Sequence, residues 1–209
     1  MKFYDCATAP SPRRVRIFAA EKGIELDTVQ VDLANGEQFG AAFRQVNPDC
    51  TVPVLELEDG TCLTEVVAIC QYLEEMQPEH SLFGATPVER ALTSMWNIKV
   101  EQQGFLASAE AFRNSAKGLR KHAIPGPDSF EQIPELAERG RERVRLFIDR
   151  LDRQLGEHTY IAGDNYSIAD ISAMVFVDFA GWIKITIPDD ASNLTRWYAS
   201  VSARPGAHA

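Results

Sequence analysis

The first third of the chain alternates between strand-like and helix-like hydrophobic patterns. A two-residue repeat predicts strands at 2–4, 27–33, 54–58 and 61–64, and a three-to-four-residue repeat predicts helices at 12–22, 37–46 and 65–75. Gly23 and Asn47-Pro48 are helix stops, and Asp59-Gly60 is a hairpin turn signal. The predicted order is therefore β-α-β-α-β-β-α.

The rest of the chain shows only helical periodicity. Residues 78–87 carry no repeat and contain Pro78, Gly84 and Pro87, which indicates a linker between domains. Helical repeats follow at 88–112, 130–155, 167–183 and 192–203, and the third of these is apolar nearly all round, as in a buried central helix. We expect a first domain at 1–78, a linker at 79–87 and an all-helical domain at 88–209.

Composition indicates an acidic globular protein. The 209 residues are 45% hydrophobic and 24% charged, with a formal net charge of −9. Such a charge argues against nucleic-acid or anionic-membrane partners, although Arg13, Arg14 and Arg16 could form a local basic pocket. No stretch approaches the roughly 20 apolar residues that span a bilayer, and no signal peptide is evident. We expect a soluble cytoplasmic protein.

The cysteines give no sign of redox pairing or metal binding. Cys6, Cys50, Cys62 and Cys70 form no Cys-x-x-Cys pair, and no clustered histidines suggest zinc. We expect reduced, mostly packed thiols and no metal site.

Val52-Pro53 immediately precedes a predicted strand. Proline lacks an N–H and suits the start of a strand better than its interior. In one interpretation the bond is cis, which turns the N–H and C=O of Val52 outward to pair with an extended peptide. In the other it is an ordinary trans bond.

Glu65 lies where a predicted strand passes into a helix. The free N–H groups of a first helical turn suit the carboxylate of a ligand, and the Glu65 side chain could hold the ammonium group of the same ligand. Alternatively, Glu65 only complements the helix dipole.

These two segments together resemble the N-terminal domain of cytosolic glutathione S-transferases, where Val-Pro-x-Leu, a hairpin and Glu-Ser-x-Ala-Ile form the glutathione site. Three further stretches fit that family: Asn47-Pro48, the capping-box pattern Gly163-Asp164-x-x-Ser167-Ile168-Ala169-Asp170, and Asn193-Leu194-x-Arg196-Trp197-Tyr198 with Arg204-Pro205. The resemblance covers essentially the whole chain. It implies a thioredoxin-like α/β domain followed by an all-α domain, a homodimer, and glutathione as co-substrate with no tightly bound cofactor.

The resemblance also implies site residues. Those expected to contact glutathione are Gln38, Val52, Pro53, Glu65 and Val66, and those expected at the second-substrate pocket are Phe105, Phe112, Asn114 and Ser115. Met95, Trp96 and Glu101 are expected at the dimer interface. Val66 replaces the family's serine, so backbone N–H groups would have to hold the γ-glutamyl carboxylate. Surface or core roles remain open for Gln38 and for the four pocket residues.

The group that holds the glutathione sulfur as thiolate is harder to assign. The family places Tyr, Ser or Cys near the start of the first helix, whereas Thr8-Ala9-Pro10-Ser11-Pro12 resembles the atypical fungal and bacterial subgroup without that side chain. Ser11 is either the helix N-cap ahead of Pro12, or a donor to the sulfur. In either case the helix N-terminus and Arg13 would surround the sulfur with positive charge. Cys6 lies too early and is expected to be packed.

The expected activity is conjugation of glutathione to small hydrophobic electrophiles by thiolate stabilisation, in a detoxification role. Two alternatives stay open: glutathione-dependent disulfide or peroxide reduction at the same site, and a noncatalytic protein of the same fold that binds hydrophobic ligands or proteins.

Overall fold

The computed structural model describes residues 1–209 and divides them into two compact units. The first unit comprises Met1–His80, Ile124–Ser129 and Ala209, and the second comprises Ser81–Ala123 and Phe130–His208. The chain thus passes from the first unit to the second between His80 and Ser81. Nothing in the hydrophobic pattern indicates that Ile124–Ser129 returns to the first unit.

The first unit contains a four-stranded mixed sheet with strand order β2-β1-β3-β4. Its strands are β1 (Lys2–Asp5), β2 (Asp27–Gln30), β3 (Val54–Glu56) and β4 (Cys62–Thr64), and its helices are α1 (Pro10–Glu21), α2 (Ala41–Val46) and α3 (Val66–Met76). β1 runs parallel to β2, and β3 runs antiparallel to both β1 and β4. The predicted order of elements and the thioredoxin-like class are confirmed.

The core of this unit follows from side-chain alternation along the central strands. Phe3 of β1 pairs with Leu55 of β3, and both side chains are fully buried. Val31, Phe43 and Val54 form a separate buried cluster. Burial of side chains of this size stabilises the fold by about 1.5–3 kcal/mol each, which holds the strand ends in place.

The single helix predicted at 37–46 is wrong. Two short 3-10 turns, Leu33–Asn35 and Glu37–Phe39, precede α2. Gly40 separates the second turn from α2 and has an extended backbone, with φ −70 and ψ 154. Its N–H donates to the Glu37 C=O at 2.9 Å, which closes the second turn before α2 begins.

The second unit is all-helical, as predicted. It contains α4 (Pro87–Lys99), a π-helical segment (Val100–Phe105), α5 (Leu106–Arg113), α6 (Pro134–Glu157), α7 (Ile168–Trp182) and α8 (Ser192–Ser202). α4, the π segment and α5 follow one another without a break. A Cβ at Gly104 in the π segment would lie 2.9 Å from the Phe176 ring, so glycine permits this close approach to α7.

The buried start of α7 confirms the predicted capping box. Ser167 is the N-cap, and the Asp170 carboxylate accepts hydrogen bonds from the N–H and hydroxyl of Ser167 at 3.0 and 3.1 Å. Its other oxygen accepts from the Ile161 N–H and the Trp197 indole N–H, both at 2.9 Å. Asp170 therefore ties α7 to α8 and to the preceding loop. None of the helices is long and apolar enough to cross a membrane.

Candidate functional site

One row of paired residues crosses β1, β3 and β4 at the edge of the sheet where the predicted glutathione-binding segments lie. Val54 pairs with Tyr4 on one side and with Thr64 on the other. The chain leaves β1 just after this row, enters β3 just before it and leaves β4 just after it. Because neighbouring strands lie about 4.8 Å apart, the residues that follow β1, those that precede β3 and Glu65 share one edge of the sheet.

Val52 presents an unpaired backbone at this edge. The Val52-Pro53 bond is cis, which confirms the bond geometry of the first interpretation. The Val52 side chain packs against the cluster of Val31, Phe43 and Val54. Neither the N–H nor the C=O of Val52 is hydrogen-bonded within the protein. Both groups can therefore pair with an extended ligand backbone.

Glu65 is the N-cap of α3 and has an unusual backbone. Its φ of 67 and ψ of 127 lie outside the regions that residues with a Cβ normally adopt, at a cost of about 1–3 kcal/mol. The Glu65 side chain is exposed and makes no capping hydrogen bond. The first hydrogen bond of the helix runs from the Ile69 N–H to the Glu65 C=O at 3.0 Å, so the N–H groups of Val66 and Val67 have no helical partner. An acceptor carboxylate and two donor N–H groups therefore lie side by side.

The interpretation of Ser11 as the N-cap of the first helix is wrong. α1 begins two residues earlier than predicted, with Ala9 as its N-cap and no side-chain cap. Pro10 fits the first helical position as well as Pro12 does, since neither has an N–H to lose. Ser11 is therefore the first residue of α1 with an N–H. Its hydroxyl lies 3.5 Å from Arg14 Nη2 and is half-buried.

The turn before α1 carries a hydroxyl, on Thr8, and a thiol, on Cys6. Thr8 is exposed, and its Oγ1 lies 3.5 Å from the Sγ of Cys6. Cys6 is half-buried, so the expectation that it is packed is wrong. Arg13 lies in the first turn of α1 and is also half-buried. The start of α1 thus offers the hydroxyls of Thr8 and Ser11, and one unpaired helical N–H.

Gln38 lies in the 3-10 turn Glu37–Phe39 and is half-buried. Its Oε1 is buried without a hydrogen-bond partner. The amide is therefore not held in one orientation, and a rotation would present its N–H groups instead.

Two cysteines of the first unit are disfavoured as nucleophiles. Burial raises the pKa of the Cys70 thiol well above its usual range. Burial, and then the Glu56 carboxylate, raise the pKa of the Cys62 thiol. Because only the thiolate is a good nucleophile, neither side chain is suited to covalent catalysis.

The second unit contains a row of aromatic rings that leads to its surface. Phe105 packs edge-on to Phe176 at 6.4 Å between centroids and stacks on Phe179 at 6.2 Å. Phe112 contacts Phe179 at 6.0 Å and Trp182 at 5.3 Å. Trp182 is 49% exposed. Phe179 and Trp182 are not among the residues predicted for the second-substrate pocket, although their three-residue spacing from Phe176 on a helix indicates that all three lie on one side.

The side chains of Asn114 and Ser115 are hydrogen-bonded within their own unit. Asn114 donates to the Glu110 C=O at 2.8 Å and accepts from the Ile133 N–H at 2.9 Å. The Ser115 hydroxyl donates to the Ala111 C=O at 2.7 Å. These hydrogen bonds explain both side chains as the end of α5 and its connection to α6.

Comparison with known proteins identifies the chain. Residues 8–76 match the family model "Glutathione S-transferase, N-terminal domain", and residues 110–205 match "Glutathione S-transferase, C-terminal domain". Glutathione S-transferase 2 of Saccharomyces cerevisiae is 33% identical over 208 residues, which cover 98% of this chain and 87% of that protein. The chain belongs to the glutathione S-transferase family. It is accordingly a transferase enzyme, with glutathione as its co-substrate.

Solved structures of relatives agree along the whole chain. A glutathione S-transferase domain-containing protein of Marinobacter aquaeolei is 40% identical, with a TM-score of 0.90 and 99% of both chains covered. Gtt2 of Saccharomyces cerevisiae is 32% identical, with a TM-score of 0.91, 100% of this chain and 99% of that chain covered. A Gtt2-class glutathione S-transferase of Vibrio parahaemolyticus is 38% identical, with a TM-score of 0.84.

Proposed function

We propose that the sheet edge described above binds glutathione and holds its sulfur as a thiolate, for attack on small hydrophobic electrophiles. The observation that carries the proposal is the common row of Tyr4, Val54 and Thr64, because it brings the unpaired backbone of Val52 beside the start of α3. A short peptide needs both features: a strand-like partner for its backbone and charged groups for its end.

The binding mode follows from the chemistry of each group. The cysteinyl part of glutathione pairs with the N–H and C=O of Val52. The γ-glutamyl carboxylate accepts from the N–H groups of Val66 and Val67 at the positive end of the helix dipole. The Glu65 carboxylate accepts from the ligand ammonium group. Gln38 donates an amide N–H to the glycyl carboxylate.

The thiolate is stabilised at the start of α1. A free thiol has a pKa of about 8.5, so hydrogen-bond donors and positive charge raise its ionised fraction at neutral pH. Pro10 and Pro12 have no N–H, which leaves the N–H and hydroxyl of Ser11 as the donors of this helical turn. Arg13 adds positive charge. The sulfur then attacks an electrophilic carbon, a carbon–sulfur bond forms, and the leaving group departs with its electron pair.

Within the second unit, the surface best suited to an apolar ligand is the exposed end of the aromatic row. Phe112 and Trp182 offer ring faces and edges to an apolar or aromatic substrate. Phe105 is 7% exposed and supports this end from below. Asn114 and Ser115 are not part of the proposed site because their polar atoms are already bonded.

The activity is tested with two assays on one preparation. Conjugation of glutathione to a halogenated nitroaromatic compound should release halide and show saturation in both substrates. Glutathione-dependent reduction of a mixed disulfide should be much slower. Disulfide reduction without conjugation would favour the reductase alternative, and saturable binding without either reaction would favour the noncatalytic one.

We also propose a homodimer formed through α4. Val88, Leu92 and Met95 are 68%, 38% and 40% exposed and lie at spacings of four and three, hence on one face of the helix. Trp96 is 7% exposed, and Lys99 lies over its ring at 4.2 Å. Trp96 therefore packs within its own unit and is not an interface position of the proposed dimer. Sedimentation should give a dimer for the parent and for Leu92→Met, and a monomer for Leu92→Glu. A cytoplasmic location and a role in detoxification stay predictions.

A further inference from the structure

We propose that Gln30, at the end of β2, is a positioning residue for the glutathione sulfur and acts through the turn Cys6–Ala9. The inference rests on the proposed function, which places the glutathione sulfur at the start of α1. Gln30 itself is not expected to touch glutathione. It is carried by a closed set of hydrogen bonds among Asp5, Gln30, Arg16 and Ala7.

The turn sets the position of the start of α1. The Ala9 N–H donates to the Cys6 C=O at 2.8 Å, which makes Ala7 and Thr8 the central residues of the turn. Ala9 is also the N-cap of α1. Any movement of the turn therefore moves the N–H and hydroxyl of Ser11, two residues further on.

The helix start cannot hold the turn by itself. Ala9 has no side-chain oxygen to cap α1, and Pro10 and Pro12 donate no hydrogen bonds. The only backbone bond from the first turn of α1 to the turn is a long one, from the Arg13 N–H to the Ala9 C=O at 3.4 Å. The restraint has to come from elsewhere.

Gln30 and Arg16 supply it by holding both polar atoms of Ala7. The Ala7 N–H donates to Gln30 Oε1 at 2.9 Å, and the Ala7 C=O accepts from Arg16 Nη2 at 3.1 Å. Each atom is held by a different side chain, so the residue cannot rotate without losing a bond.

Asp5 fixes the two side chains in turn. Its carboxylate is 1% exposed and accepts from Arg16 Nη1 and from Gln30 Nε2, both at 2.6 Å. Because a carboxylate only accepts hydrogen bonds, the Gln30 amide must direct its NH2 group to Asp5 and its oxygen to Ala7. The reversed amide would set oxygen against oxygen at Asp5 and N–H against N–H at Ala7. The buried charge thus selects the orientation that holds the turn.

The test uses Gln30→Met, with Gln71→Met as the matched control. Both glutamines are exposed, so neither change removes a buried group, and Gln71 on α3 takes no part in these hydrogen bonds. The absorbance of the glutathione thiolate is titrated against pH with glutathione bound to parent and variants. Steady-state kinetics and melting temperature are measured on the same samples.

We expect Gln30→Met to raise the titration midpoint by about one pH unit relative to Gln71→Met, a tenfold loss of thiolate below the midpoint. Turnover should fall severalfold while KM for glutathione changes little, and the melting temperature should fall because the buried Asp5 carboxylate loses a donor. An unchanged midpoint in Gln30→Met, even with a lower melting temperature, would show a merely structural role and overturn the inference. A parent that binds glutathione without shifting its thiol would instead overturn the proposed function, and the inference with it.

Discussion

Val54 pairs with Thr64 across the β3–β4 ladder, so that Pro53 and Glu65 are the next residues outward on the two strands. The peptide-binding backbone and the charged helix start are therefore neighbours by register rather than by loop geometry. Register is fixed by burial: Val54 and Leu55 are fully buried, and a slip by one residue would exchange the two faces of β3.

Because of this pairing, substitution of Glu65 tests the binding site directly. Glu65→Ala should weaken glutathione binding by about 1.5–3 kcal/mol, the range for a hydrogen bond to a charged group. Glu65→Gly should weaken it equally but unfold at a higher temperature than Glu65→Ala, because glycine adopts the positive φ without strain. Calorimetry and thermal unfolding measure the two effects. Equal affinity in parent and Glu65→Ala would remove this residue from the site.

Val66→Ser tests the departure from the family pattern. The serine hydroxyl adds a donor for the γ-glutamyl carboxylate, so glutathione affinity should stay equal or improve. Val66 is 4% exposed, and the lost apolar contacts should lower the free energy of unfolding by about 1–2 kcal/mol. Calorimetry at a temperature where both proteins are folded separates the two effects. Weaker binding there would contradict the role given to this helix start.

Ser11→Ala tests the source of the thiolate donor. Removal of a donor aimed at a developing or stabilised anion costs about a hundredfold in turnover. Because Ser11 is not the helix cap, the melting temperature of Ser11→Ala should stay close to that of the parent. Thr8→Val is the matched control, since Thr8 is exposed and carries the other hydroxyl of this region. If Thr8→Val lost the activity and Ser11→Ala kept it, the assignment would pass to Thr8.

Asp170 makes stability depend on pH in an unusual direction. Burial raises its pKa to about 6, although hydrogen bonds from Ile161, Trp197 and Ser167 lower it. A carboxyl whose pKa is higher in the folded state contributes stability that is present below its unfolded pKa and lost as pH rises through 6.

Asp170→Asn should be less stable than the parent by about 1–3 kcal/mol at pH 7, because one N–H loses its acceptor. The difference should be larger at pH 5, because only the parent gains stability as Asp170 takes up its proton. Denaturant unfolding of parent and variant at both values measures this difference. Asp189→Asn, the same substitution at an exposed position, is the matched control. A difference in the free energy of unfolding between parent and Asp170→Asn that is smaller at pH 5 than at pH 7 would contradict the raised pKa.

Local motifs account for what the sequence could predict, and long-range pairing accounts for what it could not. Val52-Pro53 and Glu65 were recognised because their neighbours in the chain carry the signal. The sequence does not fix the start of α1, because Pro10 and Pro12 are equally good first helical residues. The Gln30 contact to Ala7 spans 23 residues and depends on the parallel register of β1 and β2. The sequence alone does not distinguish Trp182 from a core residue, because it is an aromatic residue near the end of an apolar helix.

Glutathione bound at this sheet edge should be largely ionised at neutral pH. The most direct measurement is the ultraviolet absorbance of its thiolate, titrated against pH with the parent protein in excess and with S-methylglutathione as the blank. The midpoint should lie about two units below the value of about 8.5 for a free thiol. A midpoint that stays at the free value while glutathione is demonstrably bound would show that this sheet edge does not stabilise the thiolate.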